Sequence, residues 1–310
     1  MSLKKMGLLA IAGILIVASA LIVFRDHVIG TKNAQAELSD LSSLYEATEE
    51  IAAAGEQFQK GIEPAEIVTK DEKPHVAIVI DGLPERTTTA RLLDVLKKHG
   101  ASAVFFVEGQ NAANQPETIA LIREAGQEIG NYTFVGVAAV QELPQERMLA
   151  EICRTQRVVE VLAVAPPKLF RSPRTVYDEE LLRALCAAGV ECAVKESAHY
   201  APGWLKDEVG AAAYAATVPT GSIIAIDVSV PVEASAQDVV VEDARPAVDK
   251  QPTVEDKPAG ERKAAPVDAA DELDWLLTAL ESTGKTPGNI HEFRKIHYVP
   301  AAPSAAMQGK

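Results

Sequence analysis

The chain has 310 residues, 47% of them hydrophobic, with a formal net charge of −14. That length allows one large domain with appendages or two small ones. The acidic balance excludes a nucleic-acid partner, because phosphate binding needs a basic surface.

Met6 to Phe24 is a charge-free run of Leu, Ile, Val, Ala and Gly, preceded by Lys4 and Lys5 and followed by Arg25. At ~1.5 Å rise per residue it spans roughly 28 Å as a helix, close to the ~30 Å hydrocarbon core of a bilayer. It is read as an uncleaved transmembrane anchor, with residues 1–5 cytoplasmic and the bulk of the chain outside. The competing reading is a cleaved signal peptide. Ala18-Ser19-Ala20 has the small-x-small form, but apolar Leu21-Ile22-Val23-Phe24 follows it, and Ala34-Gln35-Ala36 lies far beyond the apolar run.

The apolar spacing of Leu38, Leu41, Leu44, Ile51 and Phe58 predicts a helix over Glu37–Lys60, a stalk or an element packed on the domain. Gly61–Pro74 reads as linker, so 25–74 forms a stalk region. From His75 strands and helices alternate. Strands are expected at His75–Ile80, Ser102–Val107, Glu128–Tyr132, Lys168–Phe170, Val190–Val194 and Ser222–Asp227. Helices are expected at Thr88–Lys98, Glu117–Ala125, Pro144–Val164 and Asp178–Ala187, with a last one beginning over Leu273–Leu280. This order implies a parallel sheet covered by helices, in a domain over 75–300 with a tail at 301–310. Val228–Ala270 is rich in Pro, Ala and acidic residues and has no aromatic residue. It reads as a disordered insertion. Cys153, Cys186 and Cys192 form no CxxC and read as small buried hydrophobes.

Several ordered segments carry a family resemblance. Val76-Ala-Ile-Val-Ile-Asp-Gly-Leu-Pro84, then Leu92-Leu93-Asp94 and Ala103-Val-Phe-Phe-Val107, is similar to the opening of the NodB-homology, or polysaccharide deacetylase, family. Ile122-Arg-Glu-Ala-Gly-Gln-Glu-Ile-Gly-Asn131 resembles the stretch before that family's histidine motif. Lys168-Leu-Phe-Arg-Ser-Pro173 and Gly221-Ser-Ile-Ile224 resemble two later motifs. The resemblance covers about Val76 to Asp227. It implies an α/β fold, a distorted (β/α) barrel, and hydrolysis of sugar acetyl groups assisted by a divalent metal, usually zinc, held by one Asp and two His.

Carried over residue by residue, the match fails at the chemistry. Asp81 stands in the place of the catalytic base and Arg171 in that of the Arg that orients it. Asp227 falls where the general-acid His is expected. The metal-ligand positions, however, are Gly82, Tyr132 and Gly136, so no cofactor is expected and no metal ligands are assigned. His199, near Glu196, is the one His placed to reach the barrel mouth, and it reads as a surface residue. Asp81, Arg171 and Asp227 are the candidate catalytic residues of a degenerate site, with a structural ion pair between Asp81 and Arg171 as the rival reading. Asn131, Tyr132, Pro173, Arg174 and Glu196 are the candidate substrate-binding residues.

The function expected is a single-pass, membrane-anchored extracytoplasmic module of a bacterial-type cell envelope, inactive as an enzyme, binding an envelope glycan or protein. The alternative is an active deacetylase with an atypical site. A third reading makes the barrel a spacer in envelope assembly, with the stalk or insertion doing the binding.

Overall fold

The computed structural model describes residues 46–229 and 268–299. The expected anchor at Met6–Phe24, the first part of the stalk helix and most of the insertion lie outside the described residues. Among the described residues no helix is long and apolar enough to cross a membrane.

The sheet contains β1 (Glu66–Thr69), β2 (His75–Asp81), β3 (Ala103–Val107), β4 (Glu128–Asn131), β5 (Leu169–Phe170), β6 (Cys192–Val194), β7 (Ala198–Tyr200), β8 (Ile223–Asp227), β9 (Thr286–Pro287) and β10 (Arg294–Ile296). Their order is β10-β1-β6-β5-β4-β3-β2-β8-β7, with β9 beside β2. The pairings are parallel except that of β1 with β10. The sheet curls on itself. The link from β6 to β7 ties its two sides together, because Lys195 N donates to Val68 O and Ser197 N to Ile223 O, each at 2.9 Å.

β2 and β3 are buried at every position, as strands covered on both faces must be. Alternation then divides their side chains. Ala77, Val79, Val104, Phe106, Leu169, Cys192, Val194, Ile223 and Ala225 fill the barrel interior. Ile290 and Phe293 join that cluster from the chain's last segment. They come in near the start of β2, where β9 pairs with His75 and Val76.

Around the sheet run α1 (Thr48–Gln59), α2 (Arg86–Lys98), α3 (Gly109–Asn114), α4 (Pro116–Glu124), α5 (Gln145–Ala163), α6 (Glu179–Ala187), α7 (Glu208–Thr217) and α8 (Ala269–Ser282). Asp178, Asp207 and Asp268 cap α6, α7 and α8, each accepting a backbone N–H of the first turn. The far side of α2 is held to α8 by charge: Lys98 Nζ lies 2.7 Å from Asp274 and Arg91 2.8 Å from Asp271.

Of the two expectations for the first helix the packed one holds, and two boundaries differ from the sequence reading. α1 packs on the domain, since Ile51, Ala54 and Phe58 join Met148, Leu149 and Ile152 of α5 and Leu181 and Leu182 of α6 in one cluster. The expected linker at Gly61–Pro74 contains β1, whose Ile67 and Val68 are buried in the sheet. The insertion does not begin at Val228, because Val228 N donates to Asp81 O at 2.9 Å and so continues the β2–β8 pairing.

Candidate functional site

The inward register that fills the barrel also builds its mouth. Continuing past Val79 on β2 brings Asp81 to the C-terminal end. Phe106 leads to Glu108, Leu169 to Arg171, Val194 to Glu196 and Ala225 to Asp227, each two residues on. Tyr132, just after β4, belongs to the interior cluster itself. Alternation therefore gathers polar side chains from six separate strands at one end, the usual location of a site in such folds.

Asp81 and Arg171 meet directly. Arg171 Nε lies 2.8 Å from both carboxylate oxygens of Asp81, and both residues are buried. Arg171 Nη1 donates to Glu196 Oε2 at 2.5 Å, so the guanidinium lies between two carboxylates. Burial pushes the Asp81 carboxyl up to about 6; the Arg171 charge and hydrogen bond pull it back only in part, and Asp227 and Glu196 push it further up. Burial also acts to raise Glu196, but the Arg171 hydrogen bond and charge outweigh it and hold Glu196 below its usual value. For Arg171, burial opposes the charge, while Asp81 and then Glu196 more than compensate and keep the side chain cationic.

Tyr132 is 2% exposed. Burial, then the charges of Asp81 and Asp227, raise its hydroxyl above the ordinary range, so the phenol stays protonated. Asp227 is exposed, and its Oδ1 accepts from Ser229 N at 3.1 Å and Ser229 Oγ at 2.6 Å. His199 is exposed on β7, and its ring lies 5.7 Å from that of Trp204.

The structure thus brings Asp81, Tyr132, Arg171, Glu196 and Asp227 together. It does not bring Asn131. That residue has the opposite register to Tyr132, is fully buried, and donates to Ile152 O and Gln156 Oε1 on α5, both at 3.0 Å. Pro173 accepts from Ala139 N through its carbonyl, and Arg174 is exposed with φ +50°.

Two residues that sequence reasoning passed over complete the mouth. Glu108 is 1% exposed and accepts from Leu83 N at 2.9 Å. Burial raises its carboxyl, with a smaller push from Asp227. Its signal was present in the sequence: an acid two residues beyond Phe106 keeps the inward register. Ser229 is the second. Gly82 has φ +91°, and a Cβ built there would lie 2.3 Å from Ser229 Cα and 2.8 Å from Ser229 N. Nothing in the sequence pairs those two residues.

The family's metal can now be tested against the donors present. At position 82 the backbone of Ser229 occupies the path of any side chain. At position 136 there is a glycine with φ +71°, and its Cβ would stand 3.3 Å from Glu108 Cγ. Tyr132 offers a protonated phenol, and both oxygens of Asp81 face Arg171. Among the described residues no three of His, Cys, Asp and Glu are grouped to hold an ion. A divalent site needs several deprotonated ligands converging on one point. These residues do not fit one, and no step of chemistry is derived through a metal.

Residues 69–193 match the sequence model of the family described as polysaccharide deacetylase. Over those residues the chain is similar to the polysaccharide deacetylase family. Among curated relatives, a peptidoglycan-N-acetylglucosamine deacetylase of Bacillus cereus is 34% identical over 103 residues, covering 33% of this chain and 36% of that protein. The peptidoglycan-N-acetylmuramic acid deacetylase PdaC of Bacillus subtilis is 30% identical over 118 residues, covering 38% of this chain and 25% of its own length. The matched segment thus spans a quarter to about a third of these relatives. Among solved structures, a CE4-family pseudoenzyme from Bacillus anthracis superposes with a TM-score of 0.55 at 18% identity, over 76% of this chain and 70% of the other. Bacillus subtilis PdaA, a family 4 carbohydrate esterase, gives 0.54 at 19% identity, over 83% and 88%. At such identities the likeness establishes the fold alone: a curled α/β barrel of the NodB type.

Proposed function

We propose that this chain is a non-catalytic member of the family, a module that binds a cell-envelope glycan from outside the membrane, held there by Met6–Phe24. The observation that carries the reading is the contact of Gly82 with Ser229. The turn after β8 runs through the space that a side chain at position 82 would need, so that metal-ligand position is filled by backbone as well as altered in its residue type. The glycan is supported by the relatives, whose names place their action on peptidoglycan.

A second reading, an active deacetylase with an atypical site, draws on Asp81. A buried carboxyl raised to about 6 and oriented by Arg171 is suited to general-base work near neutral pH. One experiment separates the two. The full chain is incubated with purified peptidoglycan sacculi, and both co-sedimentation and released acetate are measured. The proposal expects sedimentation with the sacculi and no acetate above the buffer control. Acetate release that disappears in Asp81→Asn would establish the second reading instead.

A further inference from the structure

The barrel mouth carries more negative charge than Arg171 needs. Asp81 and Glu196 already neutralise the guanidinium, while Glu108 and Asp227 add carboxyls to the same electrostatic neighbourhood. Asp227 has an oxygen to spare: Ser229 occupies Oδ1, and Oδ2 takes no hydrogen bond among the described residues. Tyr132 is the independent observation. Its side chain is buried and senses Asp81, Asp227, Arg171 and Glu108, yet its hydroxyl makes no hydrogen bond among the described residues. The hydroxyl is not one of the enclosed polar atoms that lack a partner, so it reaches the acidic opening and is free to receive a polar group from a ligand.

We propose that the mouth recognises the primary ammonium of a de-N-acetylated hexosamine unit, using the Asp227 and Glu196 carboxylates and the Tyr132 hydroxyl as acceptors. An ammonium brings three donors and a positive charge, whereas the acetamide of the acetylated sugar is neutral and has a single N–H. The chain would then read the product of deacetylation. This assignment rests on the glycan-binding reading above.

The test is titration calorimetry of the full chain at pH 7 and 0.15 M salt. The probes are tetramers of β-1,4-linked glucosamine and of N-acetylglucosamine. The glucosamine tetramer is expected to bind about tenfold or more tighter, the size of one charge-assisted hydrogen bond. Asp227→Asn and Tyr132→Phe, both near-isosteric, are expected to remove most of that preference while keeping the wild-type circular dichroism spectrum. Glu124→Gln, at an exposed acid on α4, is expected to retain it. Equal or tighter binding of the acetylated tetramer overturns the ammonium assignment and leaves glycan binding standing. A preference that survives Asp227→Asn reflects the overall acidity of the protein and also overturns it. If sacculi and both tetramers fail to bind, the glycan reading falls as well.

Discussion

Replacing Gly82 by Asp restores the residue type that the family resemblance places there, and the structure predicts that it damages the fold. Two costs combine. An L-residue at φ +91° pays about 1–2 kcal/mol for its Cβ. Seating a Cβ 2.3 Å from Ser229 Cα requires the turn after β8 to move, and such overpacking costs about 1–3 kcal/mol. Moving that turn also strains the hydrogen bond from Val228 N to Asp81 O. The total of about 2–5 kcal/mol corresponds to a fall in Tm of roughly 5–15 °C for a domain of this size. The assay is thermal and urea unfolding of wild type, Gly82→Ala and Gly82→Asp. Because the clash begins at Cβ, Ala and Asp should lose similar amounts. Adding Ser229→Gly should not rescue either, since the atoms met first are backbone. Unchanged melting in Gly82→Ala, or rescue by Ser229→Gly, would refute the reasoning.

Other perturbations address the ion pair and the loop beside it. Arg171→Met leaves Asp81 buried without its partner and should cost about 3–5 kcal/mol at pH 7.5, and less at pH 5, where Asp81 can take a proton; equal losses at both values would contradict the pairing. Asp81 titrates at about 6 when folded against an ordinary 3.8. A raised carboxyl gives stability that is full below the unfolded value and is lost as pH rises through the folded one. Wild type should therefore lose stability relative to Asp81→Asn between about pH 4 and 6.5, measurable from urea midpoints, and parallel pH profiles would show the shift to be absent. Glu272, fully buried on α8, accepts from the backbone N–H groups of Gly203 and Leu205. Glu272→Ala should cost about 1–3 kcal/mol, as the buried Leu205 N–H loses its acceptor and the part-buried Gly203 N–H loses its own, and should open the 201–206 loop to limited proteolysis. An unchanged cleavage pattern would argue against that role.

Much of the barrel was legible in the sequence because its signals are local. Val76–Ile80 and Ala103–Val107 are apolar, β-branched or aromatic runs of strand length, and α5 and α6 carry clear apolar stripes. Their order implied a parallel sheet. The register that carries Asp81, Arg171 and Asp227 inward follows from the two-residue period alone, and the same period places Asn131 outside. What was missed depends on pairing or packing distant in sequence. β7, β9 and β10 are two or three residues long and exist through their neighbours. α7 is Ala-rich with no marked stripe, and its Gly210 sits where a Cβ would meet Leu205 O at 1.9 Å. β1 lay hidden between Pro64 and Pro74 because Glu66-Ile-Val-Thr69 is too short to announce itself. The closure of Gly82 by Ser229 joins residues 147 positions apart and had no local signature.

The central claim is that this barrel mouth cannot assemble the metal centre of the family it resembles. Its most direct test is the zinc content of the purified full chain after incubation with excess zinc and desalting, measured by inductively coupled plasma mass spectrometry. Zinc far below one ion per chain, the same in wild type and Asp81→Asn, is the predicted result; one ion per chain that is lost in Asp81→Asn would contradict it.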